Sequence, residues 1–195
     1  MKKIVIASGN RGKLGEIARI LEPLGLEALP QSQFGVPDAD EPHRTFLENA
    51  LEKARHASRL TGLPALADDS GICVAALSGE PGIHSARFAG EPKSDARNNA
   101  RLLERMAGIE DRRAHYYCVI VFLRHPDDPE PLIAEGRWLG QLLEAGRGSG
   151  GFGYDPLFHV PEFGMTAAEL DADTKNRVSH RAKALASLMD KLQCL

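Results

Sequence analysis

Cysteine is scarce: the 195 residues hold three, Cys73, Cys118 and Cys194, an odd number at wide spacing with no C-x-x-C pair. Neither a disulfide framework nor a zinc knuckle is suggested, and a reducing, cytoplasmic setting is expected. No stretch approaches the roughly 18 apolar residues of a membrane span. The opening Lys2-Lys3-Ile4-Val5-Ile6-Ala7 imitates a signal peptide, but its apolar run stops at Ser8-Gly9-Asn10-Arg11, before an apolar region of secretory length is complete. It reads as a first strand. Concentrated positive charge is missing too, with a net charge of −3 and no dense Lys/Arg run. That argues against wrapping a nucleic-acid backbone, while a small anion needs only a few local cations. Glycine (19) and proline (12) stay below the combined share of roughly 25–30% that marks low complexity. What is present is 43% hydrophobic residues over a length suited to one domain with its own core. A single domain over 1–195 is expected.

Strand-like and helix-like segments alternate. A strand over 3–7 leads through a Gly/Asn turn to a helix over 13–21 with the apolar stripe Leu14, Ile17, Ala18, Leu21. A second strand is expected over 26–29, followed by an acidic loop over 30–42. Thr45-Phe46-Leu47-Glu48 is a T-x-x-E capping box opening an Ala-rich helix that Thr61-Gly62 ends. A short buried strand over 63–67 runs into Asp68-Asp69-Ser70-Gly71. Residues 94–107 read as a helix, with Asp95 near its positive end. Residues 116–123 and 132–143 read as an antiparallel hairpin. A Gly-rich loop over 146–153 follows, and a last helix carries Val178, Ala182, Leu185, Met189 and Leu192. This predicts an α/β fold with a mixed sheet flanked by helices, divided into two lobes around a cleft.

Four segments place polar residues where elements end. In Ser8-Gly9-Asn10-Arg11-Gly12-Lys13, glycines permit close backbone approach, helix amides face an anion and two cations add charge, which is the mechanism of a phosphate site. Spacing alone weights a plain turn equally, and the loop is no Walker A motif. In Asp68-Asp69-Ser70-Gly71, crowded carboxylates repel unless a cation compensates, as in Mg²⁺ sites; an exposed Asx turn is the bland alternative. Acidic partners could come from Asp40, Glu41 or Glu48, the last of which the capping box can occupy. The third segment, residues 148–156, formally contains G-x-G-x-x-G, but Pro156 and Leu157-Phe158 follow where a dinucleotide fingerprint requires a helix. It offers Phe152 and Tyr154 for stacking beside Asp155, or aromatics that anchor the loop to the core. The fourth, residues 175–181 with Lys175, Arg177, His180 and Arg181, places cations at the entry of the last helix, against its dipole unless an anion compensates; solvated surface charges are the alternative.

Taken in order, S-G-N-R-G-K at 8–13, T-F-L-E-N-A at 45–50, K-A-R-H-A at 53–57, A-D-D-S-G at 67–71, P-G-I-H-S-A-R at 81–87, G-G-F-G-Y-D-P at 150–156 and S-H-R-A-K-A-L at 179–185 strongly resemble the inosine triphosphate pyrophosphatase family, also called Ham1-like. The resemblance spans nearly the whole chain. It implies an elongated mixed sheet in two lobes around the active site, and house-cleaning hydrolysis of dITP, ITP and XTP to the monophosphate and pyrophosphate. A Mg²⁺-dependent, cytoplasmic homodimer is implied as well. On the matching positions, Ser8, Gly9, Asn10, Arg11, Gly12 and Lys13 form the substrate loop. Asp69 is the general base and a metal ligand, and Ser70 a substrate contact. Phe152, Gly153, Tyr154, Asp155, Lys175, His180 and Arg181 surround the base. The acidic metal partner falls at Asp40 or Glu41, and either Asp69 or Asp68 takes the proton.

The residues suit that chemistry. Attack of water on the α-phosphorus needs the triphosphate charge shared, by Mg²⁺ and by cations such as Lys13 and Lys53. Donors aimed at a 6-oxo group are left unpaired by adenine. A nucleotide sensor without catalysis would not need the acidic pair, and a Maf-type pyrophosphatase is disfavoured by Ser179-His180-Arg181.

Overall fold

The structure, a computed structural model, describes residues 2–193. Met1, Cys194 and Leu195 lie outside the described residues, as do the side chains of Lys2, Arg11, Ile20 and Leu24. The strands β1 (Lys2–Ile6), β2 (Leu26–Pro30), β3 (Ala65–Val74), β4 (Arg113–Leu123), β5 (Leu132–Leu142), β6 (Phe158–Val160) and β7 (Met165–Thr166) form one sheet in the order β2-β1-β3-β4-β5-β6-β7. β1 runs parallel to both β2 and β3, whereas β6 is antiparallel to β5 and to β7. The expected mixed α/β sheet is therefore present. The helices are α1 (Arg11–Leu21), α2 (Phe46–Thr61), α3 (Asp95–Arg105), α4 (Ala172–Val178) and α5 (His180–Leu192).

The described chain forms two compact units. The first comprises residues 1–69, 118–136 and 184–195; the second comprises 70–117 and 137–183. In the first, Ile4 and Ile6 pack with Ile17 and Leu21 of α1, Leu66 of β3, Ile120 of β4 and Leu185 and Leu188 of α5. Residues 4–7 are all buried, as a parallel strand covered on both faces should be. In the second, Tyr116, Trp138, Tyr154 and Phe158 build an aromatic core with Ile72, Leu102 and Leu142.

Two expectations need correction. The short strand over 63–67 does not end before the acidic pair, because β3 continues to Val74 and carries Asp68 and Asp69 inside it, both buried. Turn-forming composition misleads there: each carboxylate has an ammonium partner, which makes burial in a strand tolerable. Nor is the last helix continuous. Ser179 adopts an extended conformation (φ −66°, ψ 161°) between α4 and α5, and its hydroxyl accepts from the Ala182 N–H as an N-cap. Lys175 and Arg177 accordingly occupy the last turn of α4, where the dipole favours cations.

One stability prediction arises in the turn joining β4 and β5. The Asp128 carboxylate accepts from the Arg124 N–H (3.0 Å), Arg124 Nε (2.8 Å) and the Glu130 N–H (3.0 Å). The Arg124 side chain, with help from the backbone donors and against the opposing effect of burial, holds its carboxyl well below the usual carboxylate range. A depressed folded-state pKa contributes stability above the unfolded value near 3.9, lost as pH falls toward the folded one. Asp128→Asn should lower Tm by about 3–6 °C at pH 7, with the gap to wild type closing as melting is repeated from pH 5 downward. Equal Tm values at pH 7 would contradict this role.

Candidate active site

In the first unit, two adjacent carboxylates of β3 each meet a lysine from a different helix. Lys13 Nζ of α1 lies 2.9 Å from Asp68 Oδ2, whose side chain is fully buried. Lys53 Nζ of α2 donates to Asp69 Oδ1 at 3.0 Å and to Glu41 Oε1 at 2.8 Å, so one ammonium joins two carboxylates. Asn49, one turn before Lys53 on α2, directs Nδ2 at Asp69 Oδ2 (3.4 Å), while its Oδ1 accepts from the His43 N–H (3.1 Å). Helix spacing explains this: residues i and i+4 share a face, so Asn49 and Lys53 reach the same carboxylate.

Burial raises the Asp69 carboxyl above its ordinary value, against the lowering pull of Lys53 and Lys13. The same burial would lower the Lys53 ammonium, but Asp69, Asp68 and Glu41 together outweigh it and hold it above its ordinary value. Burial thus makes Asp69 a better proton acceptor, while the three carboxylates hold the proton on Lys53. Asn10 accepts from the N–H groups of Gly12 (2.9 Å) and Lys13 (3.2 Å), and Ser8 Oγ accepts from the Asn10 N–H (3.2 Å). The 8–13 loop is thereby wound into the start of α1, which brings Lys13 to Asp68.

In the second unit, polar groups gather on the Gly-rich loop. Asp155 is buried and accepts from Lys175 Nζ (2.5 Å), the Phe152 N–H (2.9 Å) and the Tyr116 hydroxyl (3.2 Å). A Cβ on Gly151 (φ +73°) would lie 2.1 Å from Asp155 Oδ2, so only glycine lets the loop close on this carboxylate. Lys175 Nζ also lies 4.7 Å from the centre of the Phe152 ring, a cation–π contact. The His180 ring stacks on Tyr116 at 4.7 Å and 9°. Arg181 is 2% exposed, and its Nη2 donates to Ser70 Oγ at 3.1 Å.

The sequence model of the Ham1 family matches residues 4–191. The chain belongs to the Ham1 family. It is 64% identical over 193 residues to the dITP/XTP pyrophosphatase of Chromobacterium violaceum, covering 99% of this chain and 98% of that one. To the protein of the same name from Nitrosomonas europaea it is 64% identical over 192 residues, covering 98% and 95%. Among solved structures, a HAM1 protein from Coxiella burnetii superposes with a TM-score of 0.94 at 47% identity over the full length of both chains. The Staphylococcus aureus Ham1 protein gives 0.90 at 40% identity over 99% of each.

For this Ham1 chain, the structure brings Lys13, Lys53, Asp68, Asp69 and Glu41 together. Asp40 is exposed, and Glu41 is the residue that shares Lys53 with Asp69. Glu48 serves its helix: its carboxylate accepts from the Thr45 hydroxyl, which in turn accepts from the Glu48 N–H. Arg11 opens α1, with its side chain outside the described residues. Lys175, Asp155 and Phe152 form one group, and Arg181 and Ser70 another. Tyr154 is buried and donates its hydroxyl to the Ser85 carbonyl (2.8 Å), so it anchors the loop, whereas Phe152 is 39% exposed. Asn49 and Tyr116 were not legible as site residues. Asn49 falls one helical turn from Lys53, a spacing that could have flagged it; nothing local marks Tyr116.

Among the described residues, no group of three or more His, Cys, Asp and Glu side chains is arranged to hold a metal. Glu41 and Asp69 already present two carboxylates to one cation, the Lys53 ammonium. Hard oxygen donors in that number suit a divalent ion completed by substrate phosphates and water.

Proposed function

We propose that this Ham1 protein is a nucleoside-triphosphate pyrophosphatase that hydrolyses non-standard purine nucleotides, dITP, ITP and XTP, to the monophosphate and pyrophosphate. It would thereby keep them out of DNA and RNA. The observation that carries the chemistry is the buried Asp68-Asp69 pair fed by Lys13 and Lys53 with Glu41 alongside. Relatives 64% identical over nearly the whole chain bear the name dITP/XTP pyrophosphatase, which supports the substrate class.

Lys13, part-exposed beside Asp68, supplies positive charge to the triphosphate, and Ser8 and Asn10 hold the turn that delivers it. Asp69 takes the proton of the attacking water. Its oxygens are oriented by Lys53 and Asn49, and burial makes it a better base than an exposed aspartate. Asp68, sealed in its ion pair with Lys13, is the weaker candidate for that role. Glu41 and Asp69 would hold Mg²⁺, which when bound offsets phosphate charge and makes its coordinated water more acidic.

On the base side, Phe152 offers a partly exposed ring for stacking, and Lys175, His180 and Arg181 are donors suited to a 6-oxo purine. Adenine would present an amino group to them and leave donors unpaired. The N–H of Phe152 is committed to Asp155, so discrimination falls chiefly to side chains. We further assign the protein to the cytoplasm as a homodimer, supported by the resemblance of its motifs; no helix among the described residues is long and apolar enough to cross a membrane.

The test is kcat/KM with Mg²⁺ across ITP, dITP, XTP, GTP and ATP. The proposal expects the first three to exceed GTP and ATP by at least about a hundredfold, as discrimination through unpaired polar groups allows. Comparable values for ATP and ITP would overturn the substrate class.

A further inference from the structure

The Phe152–Asp155 segment is held from one end by Asp155, with its partners Lys175 and Tyr116. Its other support comes from α3. Asp95 Oδ2 accepts from the Gly153 N–H at 2.7 Å, and Asn99 Nδ2 donates to the Gly153 carbonyl at 2.8 Å. Asp95 and Asn99 are four residues apart and so share one face of α3. They engage both backbone polar groups of a single residue, one in the left-handed conformation (φ +63°) that a Cβ would disfavour.

The helix that carries this pair is itself fixed. Ser94 caps it through the Arg97 N–H. Asn98, buried on the neighbouring face, accepts from the Ala89 N–H (2.8 Å) and donates to the Ala86 carbonyl (3.0 Å). The same stretch supplies the Ser85 carbonyl that receives the Tyr154 hydroxyl. Gly153 and Tyr154 are thus tied to one rigid body made of α3 and the turn before it. Phe152 is flanked by these ties on one side and by its own N–H bond to Asp155 on the other, so its ring direction follows from them. Helix-capping needs alone do not explain Asp95, because its carboxylate is spent on a loop 58 residues away.

We propose that Asp95 and Asn99 are positioning residues for purine recognition: together they clamp Gly153 and so set the Phe152 ring on which the base stacks. This rests on the assignment of the loop to the base. The clamp acts on binding of the base and not on the phosphate chemistry, so its loss raises KM and flattens selectivity while leaving kcat nearly untouched.

The experiment measures kcat and KM for ITP and ATP with Mg²⁺, and Tm, for Asp95→Ala, Asp95→Asn, Asn99→Ala, the Asp95→Ala/Asn99→Ala double variant and Phe152→Ala. Each single alanine should raise KM for ITP about tenfold, the scale of a lost hydrogen bond to a charged or buried group, with kcat within about twofold. The ITP-over-ATP ratio should fall in parallel. The double variant should be close to either single one, because both act on one residue. Asp95→Asn keeps an acceptor oxygen and should keep wild-type KM. Selectivity lost in Phe152→Ala but intact in the Asp95 and Asn99 alanine variants would overturn the clamp. A Tm loss without a KM change would overturn it as well, showing a purely structural role. An unchanged KM for ITP in Phe152→Ala would instead remove the loop from the base site, and the clamp proposal with it.

Discussion

Asp69→Asn is expected to lower kcat for ITP by about a thousandfold or more, within the range that removal of a general base produces, while Mg²⁺–ITP binding stays measurable by calorimetry. The substitution keeps the shape of the side chain and an oxygen for the Lys53 ammonium, which now lies 3.0 Å from Asp69 Oδ1. What it removes is the capacity to accept a proton and a negative charge for a cation. The raised basicity of Asp69 comes first from burial, and that surrounding is unchanged in the variant. Turnover within tenfold of wild type would take the proton-accepting role away from Asp69 and point to Asp68.

The second large effect is expected at Lys53. Its ammonium is the group common to Asp69 and Glu41, and it also faces the field of Asp68. Lys53→Met retains most of the aliphatic stem, so packing changes little and the charge is what goes. Glu41 and Asp69 then confront each other with only the more distant Lys13 charge and the Asn49 amide left beside Asp69, and removing one partner of a buried ion pair costs up to about 3–5 kcal/mol. We expect a clear fall in Tm together with a loss of kcat/KM of about 100-fold or more, from the lost orientation of the base and lost charge at the phosphates. Lys53→Arg should recover part of the Tm. Wild-type Tm and turnover in Lys53→Met would mean that the two carboxylates do not depend on this ammonium.

Much of this architecture was readable from local pattern. The capping box at Thr45 and Glu48, the strand at Ile4–Ile6 and the α3 helix follow from rules that act within a few residues. The failures have two causes, partnership across long separations in the chain for the acidic pair and a local cap that apolar spacing hides for the last helix. Asp68-Asp69-Ser70-Gly71 has the composition of a turn, and it extends as a strand because Lys13 and Lys53 arrive from elsewhere to neutralise it. Apolar spacing from Val178 to Leu192 passes smoothly through Ser179, where a single hydroxyl-capped residue splits the helix.

The candidate site divides the same way. Loop 8–13, the acidic pair and Lys175 were visible because like charges and glycines cluster in sequence. Glu41 could not be told from Asp40 by composition, since only the path of the loop brings one of them to Lys53. Tyr154 and Phe152 were equivalent aromatics in sequence; burial makes one an anchor and leaves the other partly exposed. Asp95 and Asn99 looked like ordinary residues of a helix start, because their common partner, Gly153, lies more than fifty residues further on.

The central claim is that water attacks the α-phosphorus of a non-standard purine triphosphate. Turnover of ITP with Mg²⁺ in oxygen-18 water, followed by mass spectrometry of the products, tests it most directly. The account predicts inosine monophosphate carrying one labelled oxygen together with unlabelled pyrophosphate. Labelled pyrophosphate would place the attack on the β-phosphorus, and orthophosphate with inosine diphosphate would place cleavage at the terminal phosphate; either would contradict the mechanism.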